Sequence, residues 1–191
     1  MEFQENQIGE VPATGKILIA NPFLKDPNFM RSVVFLCQHQ KEGSFGFIFN
    51  KLFTQTLDDL IAETQVKKLP VYFGGPVQMD TIHFIHTVPE LIEGGLKILP
   101  DIYWGGDFGR AMELLEVGLI DSARIKFFIG YSGWESGQLE GELKENSWIV
   151  SNATRELLFD KEETSIWKAS LRNMGEDFAA MANYPVDPSL N

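Results

Sequence analysis

The sequence has few of the residues that thiol and metal chemistry require. Its 191 residues include one cysteine and three histidines. The single cysteine, Cys37, allows no disulfide within the chain, and its position in the apolar run 32–37 predicts a buried, inert thiol. A chain without a disulfide framework suits a reducing compartment, so we predict a cytoplasmic protein.

Positive charge and long apolar runs are also scarce. The chain has 16 basic against 27 acidic residues, for a net charge of −11. This balance repels phosphate backbones and anionic membrane surfaces, so we expect neither direct nucleic-acid binding nor membrane contact. The N-terminal segment is polar and lacks a signal-peptide pattern, and no apolar run approaches the roughly 18 residues of a membrane-spanning helix.

Phosphate-binding and metal-binding patterns are missing as well. Neither the dinucleotide fingerprint G-x-G-x-x-G after a strand nor the P-loop pattern occurs. His83 and His86 lie three positions apart on a predicted strand, so they should point to opposite faces. A zinc site needs three or four convergent ligands, and His39 does not supply the missing ones. We therefore predict no cofactor and no metal site.

The segments that are present are mostly short apolar stretches bounded by glycine, proline or polar turns, a pattern typical of β-strands. Strands outnumber helices, and several neighbours are joined by hairpin-length turns, so we predict an α+β fold. We assign 1–14 to a flexible N-terminal arm and 15–191 to one domain. The predicted strands are 16–20, 31–39, 44–50, 71–75, 82–87, 124–130 and 147–151, and the predicted helices are 56–64, 107–118, 138–146 and 164–175.

The segment GYSGWESGQLEGEL, residues 130–143, raises the question of a nucleophilic serine. A nucleophile elbow needs G-x-S-x-G, but here Gly133 directly follows Ser132 and Trp134 fills the position of the second glycine. We favour a tightly packed bend in which glycines let neighbouring chain approach closely. A hydrolase that uses Ser132, or a histidine with a nearby carboxylate, remains an alternative.

The absence of catalytic motifs beside turns rich in glycine and aromatic residues favours a non-enzymatic binding or regulatory module. Its partner is an unidentified small molecule or protein. We expect five residues to approach one another around a concavity, because ligand sites are compact clefts. These residues are Asn50, Gly74, Gly75, Trp134 and Gln138.

An ordered series of segments over about residues 15–175 resembles the bacterial AlgH/YqgE-like family. The segments include GKILIANP (15–22), DPNFMRSVV (26–34), VYFGGPV (71–77) and GYSGWESGQLEGEL. The resemblance implies a strongly bent, mostly antiparallel sheet, partly barrel-like, with flanking helices. It also implies a role in transcriptional regulation, which the acidic charge makes indirect. The chain departs from the family at Gln38, where an acidic residue is frequent, and at 51–52, where proline is frequent.

Overall fold

Ten strands form one curled sheet in the computed structural model, which describes residues 9–185. The strands are β1 (Lys16–Ala20), β2 (Val33–Gln40), β3 (Gly43–Ile48), β4 (Leu52–Thr56), β5 (Pro70–Phe73), β6 (Val77–His86), β7 (Leu96–Leu99), β8 (Ile102–Trp104), β9 (Ile125–Glu135) and β10 (Trp148–Asn152). The helices are α1 (Leu57–Leu60), α2 (Phe108–Glu116), α3 (Gln138–Lys144), α4 (Glu163–Asn173) and α5 (Glu176–Met181), with a 3₁₀ turn at Ser122–Arg124 and a π-helical turn at Glu156–Asp160.

The strand order is β10-β1-β2-β3-β9-β6-β8-β7, with β4 beside β5 and β5 beside β9. The β5–β9 pair is parallel, and the other pairs within the described residues are antiparallel. The sheet curls into a half-barrel with helices packed against it. This architecture confirms the predicted α+β class and the bent, mostly antiparallel sheet.

Strand β9 is the centre of the sheet and bends at Gly130. Its first half pairs with β5 and its second half with β3, while β6 pairs with both halves. Gly130 has φ of +65°, and a Cβ added there would lie 2.4 Å from the carbonyl oxygen of Gly75. Only glycine tolerates both the conformation and the contact, so β9 can change partners without ending.

Both faces of the sheet are covered around β9. Phe128 belongs to a core that also contains residues of α4, whereas Phe127 packs in a separate core with residues of α2. Both rings are fully buried, and each contributes about 2–3 kcal/mol of apolar transfer free energy. A third core, under α3, contains Leu139, Trp134 and Trp148.

The structure corrects three of the predicted elements. The helix predicted over 56–64 is the single turn α1, because the chain becomes extended at Ile61. Strands β4, β7 and β8 have no predicted counterpart, and β6 begins at Val77, five residues earlier than expected. The tightly packed bend predicted for 130–143 is found at Gly130, where the Gly75 carbonyl approaches closely, but 131–135 then continue β9 with ladder partners in β3.

The predicted flexible arm, 1–14, lies partly outside the described residues. In its described part, the backbone N–H of Glu10 donates to the carbonyl of Val150 at 3.2 Å. The Glu10 carboxylate also accepts hydrogen bonds from Lys16 and Asn152. The end of this segment therefore contacts β1 and β10, and the flexibility of the arm stays a prediction.

Replacing Gly130 with alanine should destabilise the fold strongly. A left-handed alanine costs about 1–2 kcal/mol, and the clash with the Gly75 carbonyl adds to it, so we expect the free energy of unfolding to fall by about 2–4 kcal/mol. Gly141→Ala in α3 is the matched control, because nothing lies within 4 Å of its added Cβ. Urea unfolding followed by tryptophan fluorescence measures both, and equal midpoints would contradict the role of Gly130.

Candidate functional site

A cavity of about 770 Å³ lies on the face of the sheet where β3, β6, β8 and β9 contribute half-buried aromatic rings. We call it the aromatic cleft, and its rings are Phe45, His83, Trp104 and Tyr131. Phe45 packs edge-on against Trp104, with ring centroids 4.8 Å apart, and against Tyr131 at 6.1 Å. These contacts hold the rings in a fixed arrangement, as expected for aromatic pairs at these distances.

The curl of the sheet brings these rings together. Phe45 lies on β3 and Trp104 on β8, and two strands, β9 and β6, separate them in the sheet order. Three strand spacings in a flat sheet amount to about 14 Å. The 4.8 Å separation of the two rings therefore indicates that the sheet curls between β3 and β8.

A glycine makes room for the cleft. Phe45 pairs directly with Gly133 on β9, so these two residues share a face of the sheet with Tyr131 and Glu135. A Cβ on Gly133 would lie 3.2 Å from the Tyr131 ring. The Tyr131 ring thus packs over the Gly133 backbone, and a side chain at this position would displace it.

His83 brings an unsatisfied polar atom to this cleft. Its Nε2 is one of three buried side-chain atoms without a hydrogen-bond partner among residues 9–185, and the only one of them on a cleft residue. The ring lies 5.1 Å from Phe47 and 6.1 Å from Tyr131. Burial lowers the pKa of His83 below its usual 6.5, so the imidazole is neutral at pH 7.

The rim of the cleft is acidic. Glu42 and Glu135 line it, together with the amides Gln38 and Gln138, and no lysine or arginine of the described chain is among its lining residues. An anion entering this cleft would lose its hydration without gaining a charged partner, which is unfavourable. The rim therefore admits neutral and cationic molecules.

Of the five predicted site residues, the structure brings two to this cleft. Trp134 and Gln138 line it. The indole ring of Trp134 lies on the opposite face of β9 from Gly133, 5.9 Å from the ring of Trp148. Its N–H donates to Glu142 at 2.9 Å, and Gln138 donates to the same carboxylate group at 3.0 Å.

The other three predicted residues are engaged in backbone contacts away from the cleft lining. The Asn50 side chain accepts from the N–H of Val33 and donates to the carbonyl of Arg31, both at 2.8 Å. Gly74 donates its N–H to the carbonyl of Ile129 at 2.9 Å. A Cβ on Gly75 would lie 2.3 Å from the backbone of Tyr131. A role of the five residues in ligand binding stays a prediction.

Sequence reasoning missed Glu142, whose carboxylate receives two indole N–H groups. Trp134 and Trp148 both donate to its Oε2, at 2.9 and 2.7 Å. A glutamate on a short polar helix has no pattern that distinguishes it from its solvated neighbours. The cleft rings Phe45 and Trp104 were missed as well, because 59 positions separate them in the sequence.

Two serines of this region differ in their position relative to the cleft, since Ser44 is one of its lining residues and Ser132 is not. Ser132 is fully buried, and its hydroxyl donates to the carbonyl of Gly74 at 2.9 Å. Ser44 Oγ lies 2.7 Å from His39 Nδ1, and the other nitrogen of that ring is 3.8 Å from Glu140. This serine–histidine pair shares its face with Trp134, because Ser44 pairs with both residues across the strands.

His86 has a structural role. Its Nε2 lies 3.1 Å from the carbonyl of Gly105, and its Nδ1 accepts from the N–H of Val88 at 3.2 Å. Burial is the main cause that lowers its pKa, which keeps this residue neutral. No three His, Cys, Asp or Glu side chains are grouped to hold a metal ion anywhere in residues 9–185.

A buried charged cluster borders a second, smaller cavity of about 230 Å³. Lys126 Nζ donates to the Tyr72 hydroxyl at 3.2 Å and lies 3.9 Å from the Glu163 carboxylate, which also accepts from Tyr72. Burial lowers the pKa of Lys126, while Glu163 opposes this shift. Each group has its partner, so the cluster joins β5 and β9 to α4.

The fold and the cleft define an α+β protein built on one curled half-barrel sheet. The chain belongs to the AlgH-like family, DUF179, whose model matches residues 17–179. This finding confirms the family resemblance. No helix among the described residues has both the length and the apolar character needed to cross a membrane.

Relatives match over nearly the whole chain. A UPF0301 protein of Chlorobaculum tepidum is 39% identical over 182 residues, which cover 95% of this chain and 97% of that protein. A UPF0301 protein of Bacteroides thetaiotaomicron is 39% identical over 191 residues, or 100% and 96% of the two chains.

Two solved structures share the fold. The solution structure of AlgH from Pseudomonas aeruginosa is 25% identical, with a TM-score of 0.73, over 92% of this chain and 97% of that one. A crystal structure of protein DIP2367 from Corynebacterium diphtheriae reaches a TM-score of 0.79 at 18% identity, over 96% and 100% of the two chains.

His83, which is half-buried, and His86, which is fully buried, should make stability depend on pH. Their lowered pKa means that the unfolded chain binds more protons, so their contribution is complete above about pH 6.5 and is lost as pH falls toward the folded-state values. We expect imidazole NMR titrations to place His83 and His86 below 6.5, and the free energy of unfolding to fall between pH 7 and 5. Titration of both at or above 6.5 would contradict the burial effect.

Removing the Glu142 carboxylate should destabilise the core under α3, which contains Trp134 and Trp148. Glu142→Leu leaves the indole N–H groups of Trp134 and Trp148 without their acceptor, and an unsatisfied buried donor costs about 1–3 kcal/mol. We expect a loss of about 2–4 kcal/mol in the free energy of unfolding, measured in urea. Glu145→Leu, an exposed position at the end of the same helix, serves as the control, and equal effects would contradict the anchoring role.

Proposed function

We propose that the chain is a non-enzymatic binding module that holds a small organic molecule in the aromatic cleft. The supporting observation is a set of four half-buried rings around an open space of about 770 Å³. Known ligand sites have volumes of roughly 300–1,000 Å³ and walls that are mostly apolar or aromatic. Gly133 lines this space and has no side chain on this face.

The positions of the serine hydroxyls favour binding over hydrolysis. A nucleophile must reach the bound substrate, and catalysis needs hydrogen-bond distances of about 2.6–3.2 Å. Ser44 lines the cleft and its pair with His39 meets this distance at 2.7 Å, but Ser44 is only 8% exposed and its side chain points to the face of β3 opposite Phe45. Ser132 donates its proton to a backbone carbonyl and is fully buried.

We also propose a cytoplasmic location and no direct contact with nucleic acid. Cys37 is buried, and burial raises the pKa of its thiol well above the usual value, so it stays protonated and unreactive. The net charge of −11 opposes binding to a phosphate backbone. Any transcriptional role that the family resemblance implies is then indirect, through the ligand or a protein partner.

Filling the cleft should abolish ligand binding without unfolding the protein. Gly133→Val places a branched side chain between Phe45 and Tyr131, at a strand position that β-branched residues favour. In a thermal-shift screen of metabolites and nucleotides, a ligand at roughly 100 times its Kd stabilises the native state by about 2.7 kcal/mol. We expect each hit on the wild-type protein to disappear with Gly133→Val.

The control for this experiment is Gly141→Ala, which changes a glycine on α3 with no atom near its added Cβ. It should retain every hit. Hits that persist in Gly133→Val would place the binding site elsewhere and contradict the proposed function.

A further inference from the structure

We infer that the ligand of the aromatic cleft is a flat aromatic or heteroaromatic molecule that carries a positive charge. This inference rests on the proposed function and adds the chemical class of the ligand. Three independent features of the cleft support it: the ring faces, the charge of the rim and the unpartnered nitrogen of His83.

The ring faces favour flat and cationic groups. Phe45, Trp104 and Tyr131 are only half-buried, although each is large enough to belong in a core. Aromatic faces bind other flat rings by stacking and bind cations through the negative face of the ring, most strongly at tryptophan. Polar molecules without a ring or a positive charge gain little from such walls.

The acidic rim of the cleft favours a ligand with a positive charge. Glu135 lies at the end of β9, and Glu42 lies in the turn before β3. Both residues are exposed, and Gly43, which follows Glu42, pairs with Glu135 across the ladder. No basic residue lines the cleft within the described chain, and neither carboxylate forms a salt bridge there, although Lys41 directly precedes Glu42. Complementary charge raises both the affinity and the encounter rate of a cation, and the net charge of −11 acts in the same direction.

His83 brings a buried, unpartnered ring nitrogen, Nε2, close to the rings of Trp104 and Tyr131. A neutral imidazole accepts at one nitrogen and donates at the other, and we assign the accepting role to Nε2. Buried polar atoms without partners are exceptional in folded proteins. A ring N–H or an ammonium N–H of a cationic ligand would satisfy this atom, whereas an anion offers it no proton.

Three indoles that differ only in charge test the inference. Tryptamine carries +1, tryptophol is neutral and indole-3-acetate carries −1 at pH 7.5, while the ring is the same. Binding is measured by ¹⁵N NMR at the indole N–H of Trp104 and the amide of Gly133. We expect tryptamine to bind about tenfold more tightly than indole-3-acetate, with tryptophol between them.

Two matched double variants locate the charge effect. In Glu42→Gln/Glu135→Gln, the three affinities should converge to within about threefold, with little change for tryptophol. Glu113→Gln/Glu156→Gln changes the net charge equally at exposed positions that do not line the cleft, and it should keep the wild-type order. His83→Phe should weaken tryptamine more than tryptophol, because it removes the acceptor but keeps a flat ring.

The outcomes separate the two proposals. If the indoles bind with equal affinities, or indole-3-acetate binds most tightly, the cationic class is wrong while the binding function stands. Tetramethylammonium binding as tightly as tryptamine would show that a ring is not required and would overturn the aromatic part. If none of the three perturbs Trp104 or Gly133 at millimolar concentration, or if Gly133→Val still binds them, the aromatic cleft is not a binding site and both proposals fail.

Discussion

The close approach of two backbone segments, at Gly75 and Gly130, is the contact on which the rest of the structure depends. The carbonyl of Gly75 occupies the place where a side chain on Gly130 would lie, 2.4 Å from its Cβ position. The bend that results lets β9 pair first with β5 and then with β3. Because the sheet curls around this strand, Trp104 reaches Phe45 across two intervening strands.

The alternation of side chains along β3 and β9 divides the chemistry of the protein between two faces. Phe45, Gly133 and Tyr131 face the cleft, whereas Ser44 and Trp134 face α3. A short serine–histidine distance therefore does not by itself indicate a hydrolase, since Ser44 lines the cleft but is only 8% exposed, and its side chain points away from Phe45. Shifting β3 by one residue would exchange these two sets, so the ladder register decides which side chains a ligand meets.

Local sequence patterns were sufficient to predict the elements whose sequence signals lie within a few residues of one another. Strand β1, and helix α2 with its cap at Asp107, follow from hydrophobic periodicity and capping chemistry, and the structure contains both. The second half of β9 could not be predicted in this way, because its partners in β3 lie about 90 positions away. The cleft depends on the same distant pairing, since Gly133 resembles any turn glycine until Phe45 is placed opposite it.

In the cleft, the burial of aromatic rings and the hydrogen bonding of polar atoms both differ from those of a typical core. A typical core buries its large rings and pairs its polar atoms, whereas here Phe45, Trp104 and Tyr131 stay half-exposed while the Nε2 of His83 is buried without a partner. Other buried polar groups of the same sheet have partners, as in the contacts of His86 and of Lys126, and Ser32 beside β2 is a further exception. The unsatisfied atom and the exposed rings occur together on one acidic-rimmed surface, and a single bound molecule with a flat, positively charged ring would complete both.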